Sequence, residues 1–181
     1  MAIDKIQSES INLADTFAFT GTVSGAGGVN TPAFEAYLNS TTTPSDATWT
    51  KVAMNTEVFD TASAYDHSSN YRFTVPSGQG GKYYVYAMLQ AYATYDANAF
   101  SKIAIYKNGT AFVGTTKDSR NNNTRIAPMK VSSTMVLSAS DYIEVFGYVD
   151  ATSGSPEFSA TSDGGDGGYY GTRWGAYKII E

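Results

Sequence analysis

Any catalysis in this 181-residue chain would have to rest on carboxylates and one histidine. His67, in the stretch YDHSSN, is the single histidine, and cysteine is absent. Thiol nucleophiles, disulfides, thiolate metal sites and ordinary Cys/His transition-metal sites are therefore excluded. His67 falls among turn-forming residues and reads as a surface-loop side chain. Two carboxylate pairs have the residue types of a glycosidase, Asp60 with Asp66 and Glu144 with Asp150, but neither stands in a special context. The Gly-rich string SGAGG at 24–28 precedes neither a Lys-Ser/Thr pair nor a helix, so it is no phosphate loop. The expectation is a chain that is not an enzyme and needs no cofactor.

The one metal-like string is SDGGDGGYYG at 162–171. Asp163 and Asp166 flank glycines that can turn carbonyls inward, as an oxygen-only calcium loop requires, which makes them weak calcium candidates. Turn-capping aspartates in a Gly-rich loop would look the same. Tyr169 and Tyr170 close the string. They fit a recognition loop, where tyrosine beside flexible glycine is a common surface, and equally the start of the final strand.

These residues must be held by strands. Helical periodicity is nearly absent, and short alternating runs recur between Gly, Asn, Ser and Pro clusters. The runs are 32–38, 49–59, 71–75, 82–93, 101–109, 125–137, 141–149, 157–161 and 171–180, the count and spacing of an all-β sandwich or jelly roll. Asn108-Gly109 marks a hairpin turn, because both residues tolerate positive φ. Charged residues are only 16% of the chain, whereas tyrosine occurs 14 times. A net charge of −5 argues against a broad grip on nucleic acid. No window approaches a membrane span, and MAIDKIQSESINLADTF has neither the basic start nor the apolar run of a signal peptide, so no membrane partner is expected.

The stretch GGKYYVYAMLQAYA at 80–93 departs from the usual half-buried pattern. Tyr83, Val85, Ala87, Leu89 and Ala91 would line one face of the strand. Tyr84, Tyr86, Met88 and Tyr92 would line the other. Neither face is made for bulk water.

The order of the runs resembles the globular heads of the C1q and tumour-necrosis-factor families. PAFEAYL (32–38) is similar to the opening strand of C1q-like heads, and TEVFDTASAYD (56–66) to their phenylalanine, spacer and tyrosine-aspartate pattern. YRFTVPSGQGGKYYVYAML (71–89) resembles their most typical segment. IAIYKNGT (103–110), VLSASDYIEVFGY (136–148) and TRWGAYKII (172–180) follow in the same order. The resemblance covers 32–181 and lacks the collagen stalk of many C1q chains, since no Gly-X-Y run is present. It implies an all-β, ten-stranded jelly-roll sandwich that forms a homotrimer. It also implies that Tyr84, Tyr86 and Met88 face the trimer axis, that Trp174 fills the core, and that Gly175 allows a neighbouring strand to approach closely.

Residues 1–31 read as an N-terminal arm with a Gly-rich linker. Within it, SINLADTFAFTGTV (10–23) resembles the leader of structural and fibre proteins of marine tailed phages. Ile11, Leu13, Phe17 and Phe19 suit a strand that adds to a partner's edge. The resemblance implies a virion protein assembled in the host cytoplasm, bound to another virion protein through the arm. Its role would be capsid decoration, or a tail-fibre knob that meets a host-surface receptor or glycan. The rival reading is a soluble carbohydrate-binding or cell-adhesion module with an aromatic platform such as Tyr95, Tyr169 and Tyr170. Removing residues 1–28 is expected to leave a folded, soluble trimer that no longer enters particles. Particles purified with the shortened chain and assayed for the head test this, and normal incorporation would refute a tether.

Overall fold

A computed structural model describes residues 29–161 and 169–179. The arm positions Ile11, Leu13, Phe17 and Phe19 and the calcium candidates Asp163 and Asp166 lie outside the described residues. Twelve strands are present among those described: β1 (Ala33–Tyr37), β2 (Thr50–Lys51), β3 (Thr56–Asp60), β4 (Tyr65–Asp66), β5 (Arg72–Thr74), β6 (Gly81–Ala93), β7 (Asn98–Lys107), β8 (Thr110–Asp118), β9 (Ile126–Leu137), β10 (Tyr142–Ala151), β11 (Pro156–Ser159) and β12 (Arg173–Lys178). All named pairings are antiparallel, and they form two six-stranded sheets.

The first sheet is organised by β6, the strand with two apolar faces. One edge of β6 carries β9 from Gly81 to Tyr92. The other carries β12 from Tyr83 to Met88 and then β11 from Gln90 to Ala93. β1 follows β12, and β3 closes the sheet. The second sheet runs β4-β5-β10-β7-β8, with β2 beside β10 beyond the end of β5. The architecture is the expected jelly-roll sandwich.

Three details differ from the sequence reading. The run 49–59 is not one strand: β2 pairs in the second sheet and β3 in the first, so the chain crosses the sandwich between them. Tyr65 and Asp66 form a short strand at a sheet edge. Residues 110–118, left out of the expected strands because Thr, Gly and Asp dilute the pattern, form β8. The Asn-Gly turn demands such a strand: Asn108 and Gly109 have φ of 50° and 78°, and β7 folds back onto β8 there.

The core follows the period-two alternation. Tyr83, Val85, Ala87, Leu89 and Ala91 of β6 point into it, as do Phe34, Ala36 and Leu38 from the β1 segment and Trp174 and Ala176 from β12. Phe34 stacks on Tyr65 at 4.9 Å and on Phe73 at 4.8 Å between ring centroids, and Trp174 meets Phe34 edge-on at 4.8 Å. The Tyr65 hydroxyl donates to the Met54 carbonyl at 2.6 Å, so its burial costs no unpaired polar group. Trp174 is 1% exposed and touches two aromatic neighbours. Trp174→Ala should cost about 3–5 kcal/mol, the usual range for emptying a large aromatic site. Urea denaturation measures this, and a loss below about 1 kcal/mol would contradict a core role for the indole.

Candidate interaction surfaces

The outer face of the first sheet can be read row by row from strand register. The central row runs Phe59, Glu35, Gly175, Tyr86, Ser132 across β3, β1, β12, β6 and β9. On one side lies Tyr37, Arg173, Met88, Lys130; on the other lies Ala33, Tyr177, Tyr84, Thr134. Tyr84, Tyr86 and Met88 thus stand together on one face, half-buried, opposite the core-facing set of the same strand.

Tyr86 is the centre of this face. Its hydroxyl donates to a Glu35 carboxylate oxygen at 2.6 Å, and the Arg173 guanidinium donates to the other oxygen of Glu35 at 3.1 Å. To reach Glu35 from β6, the Tyr86 ring must cross β12, which lies between β6 and β1. It crosses at Gly175, where a Cβ would stand 2.6 Å from the Tyr86 hydroxyl oxygen and 2.6 Å from the Phe34 carbonyl oxygen. Gly175 therefore admits a side chain as well as a neighbouring backbone. The tyrosines also touch one another: Tyr84 lies 5.5 Å from Tyr177 and 6.3 Å from Tyr86 between centroids. Burial is the main cause that raises the Tyr86 phenol above its ordinary value, and the Glu35 contact adds to it.

Of the two loop tyrosines, Tyr169 is 76% exposed, whereas the Tyr170 ring packs on Tyr37 with centroids 4.1 Å apart. The Tyr170 carbonyl accepts from Arg173 at 3.2 Å. Tyr170 therefore borders the outer face of the first sheet and is bridged to Thr161 through its backbone. Tyr95 is 87% exposed, in a turn where it and Asp96 both have positive φ.

Three of the four paired carboxylates, Asp60, Asp66 and Glu144, do structural work. Asp60 accepts the backbone N–H groups of Ala62, Ala64 and Tyr65. Asp66 accepts those of Ser68, Ser69 and Asn70, at 3.0, 2.9 and 3.1 Å, and the Ser69 N–H, the Asn70 side-chain amide, the Ser68 N–H and the Ser69 hydroxyl hold its carboxyl well below the usual range. Both are loop caps. Glu144 is ion-paired with Lys51 on the second sheet. His67 is partly exposed and lies 2.7 Å from Glu57. No group of three or more His, Cys, Asp or Glu arranged to hold a metal occurs among the described residues.

Sequence reasoning singled out the β6 residues and set Tyr177 opposite Trp174, but missed Glu35, Tyr37 and Arg173. The signal was present as alternation. In PAFEAYL, Glu35 and Tyr37 must oppose Phe34, Ala36 and Leu38, and in β12 Arg173 and Tyr177 must oppose Trp174 and Ala176.

No family model matches the chain, and no curated protein sequence matches it. Solved structures do. The globular domain of zebrafish complement 1qA protein aligns with a TM-score of 0.55 at 11% identity, over 82% of this chain and 97% of that one. The Eiger TNF of S. frugiperda aligns at 0.56 and 13%, over 81% and 91%. Murine APRIL aligns at 0.56 and 13%, over 81% and 98%. The fold is a C1q/TNF-like jelly roll. At this identity the likeness speaks for architecture alone. The outer face of the first sheet of this jelly roll is then characterised by its own residues.

The raised Tyr86 phenol has a consequence for stability. In the unfolded chain tyrosine ionises near pH 10, so the Tyr86 contribution is complete below about pH 10 and is lost as pH rises through the higher folded value. Tyr86→Phe should therefore lose stability less steeply than the parent chain above about pH 10. Denaturant melts across that range, with tyrosinate absorbance as the probe, check it.

Proposed function

We propose that this chain is a non-enzymatic structural module that assembles as a homotrimer, with the outer face of the first sheet as the seam around the axis. The observation that carries the reading is the row Glu35, Gly175, Tyr86, flanked by Tyr84, Tyr177, Met88 and Tyr37. It is a broad, largely aromatic face whose central polar groups, the Tyr86 hydroxyl, the Glu35 carboxylate and the Arg173 guanidinium, are paired to one another. Tyrosine suits a seam of this kind, because it buries a ring and keeps its hydroxyl satisfied. A closed symmetric assembly removes such a face from water once per copy. The number three comes from the resemblance to C1q and tumour-necrosis-factor heads drawn from motif order.

The setting we infer is the exterior of a tailed-phage particle, as a decoration protein or a fibre knob. What supports it is the resemblance of residues 10–23 to phage leaders. In this reading residues 1–31 tether the chain to another virion protein.

Tyr86→Asp tests the seam. Three carboxylates gathered on a dry axis would repel one another and be costly to desolvate. The variant should elute as a folded monomer, with the parent chain as a trimer by size-exclusion light scattering. A Tyr86→Asp trimer with unchanged melting would place the axis elsewhere, and a monomeric parent chain would end the assembly reading.

A further inference from the structure

The opposite side of the sandwich, the outer face of the second sheet, has a chemistry of its own. Register places Thr116, Lys102 and Tyr148 in one row across β8, β7 and β10. The adjacent row is Gly114, Ala104, Phe146 and Lys51. Trp49, just before β2, lies over this surface, edge-on to Tyr148 at 5.8 Å and to Tyr106 at 6.2 Å. The Lys102 ammonium is held by ring faces: 4.6 Å from the centroid of Tyr148, 5.0 Å from Phe100 and 5.6 Å from Trp49. None of the ion pairs among the described residues involves it. Its positive charge is thus oriented by aromatic faces and not neutralised by a carboxylate.

Beside this ammonium lies an open trough of about 230 Å³. Ala104 and Gly114 form its floor, and Trp49, Phe112, Lys102 and Thr116 stand around it. Phe112 is 51% exposed and Trp49 38%, so two aromatic rings are left partly in water beside a depression. The volume is below the roughly 300–1,000 Å³ that encloses a drug-sized ligand, so the trough takes one ring of a longer molecule. Aromatic walls suit the apolar C–H face of a sugar, threonine hydroxyls suit its hydroxyls, and the ammonium suits a carboxylate.

We propose that this trough binds an acidic saccharide. One pyranose ring sits over Ala104 and Gly114, between Trp49 and Phe112, with its carboxylate at the Lys102 ammonium. The site lies on the far side of the sandwich from Tyr86, so it does not rest on the assembly reading. Self-association through the first sheet would leave it open and repeat it, adding avidity toward a polysaccharide.

The chain has two tryptophans. Trp174 is buried in the core and Trp49 stands at the trough, so Trp49 emission reports on the site. The intact chain is titrated with trigalacturonate and, separately, with neutral maltotriose. A dozen or so heavy atoms in contact support a Kd on the order of 1 mM. The expected result is a saturable emission change with trigalacturonate that is absent with maltotriose and absent in Trp49→Phe. Lys102→Met should weaken binding about tenfold or more, as loss of a charge-assisted contact does, and Lys102→Arg should retain it. Phe112→Ala removes an exposed wall at little risk to folding and should also weaken binding. No saturable change in the intact chain, an equal response to maltotriose, or undiminished binding in both Lys102→Met and Phe112→Ala would overturn the proposal.

Discussion

Strand β6 has no face made for water, and the two sheets are arranged around that constraint. Its core-facing set, Tyr83, Val85, Ala87, Leu89 and Ala91, is almost completely removed from solvent by the second sheet. Its outer set, Tyr84, Tyr86 and Met88, is only half covered by neighbours in its own sheet. Burial of an apolar side chain is worth roughly 1.5–3 kcal/mol, so a strand with both faces apolar gains most when both are covered. The strands around β6 answer this locally. A glycine in β12 lets the Tyr86 ring lie across it, and Glu35 in β1 takes the hydroxyl.

The two outer faces of the sandwich divide by chemistry. At the centre of the first sheet's outer face, charge is paired internally: Glu35 receives both the Tyr86 hydroxyl and Arg173. Such a self-satisfied polar centre within an apolar surround can be covered by another surface without stranding a charge. On the second sheet, Lys102 is surrounded by rings and takes part in none of the ion pairs among the described residues. A cation in that state favours an anionic visitor over permanent burial. The aromatic content of the chain thus serves two different ends on opposite sides of one core.

The acidic residues that looked most like chemistry serve the loops. Asp60 and Asp66 each gather several backbone N–H groups that no strand ladder satisfies. For Asp66 these bonds hold the carboxyl in its charged form, which makes it a poor proton shuttle at neutral pH. The appearance of Asp60 and Asp66 as a glycosidase pair came from residue type alone, and the capping geometry gives each a different task.

Much of this was legible in the amino-acid order because side chains alternate across a strand with period two. That rule placed Tyr83 and Val85 against Tyr84 and Tyr86 and Trp174 against Tyr177, and the tolerance of Asn-Gly for positive φ marked the hairpin at Asn108-Gly109. It could not say which strands become neighbours. Glu35, Tyr86 and Gly175 meet only because β12 enters the sheet between β1 and β6, joining positions 51 and 138 residues apart along the chain in Tyr86–Glu35 and Arg173–Glu35. The same holds for Lys102 with Trp49 and Tyr148, and for the assignment of β2 and β3 to different sheets. Alternation is a local property of the backbone and is written residue by residue. Partnership between distant strands is settled by how all the apolar faces pack at once, and only the folded sandwich contains that answer.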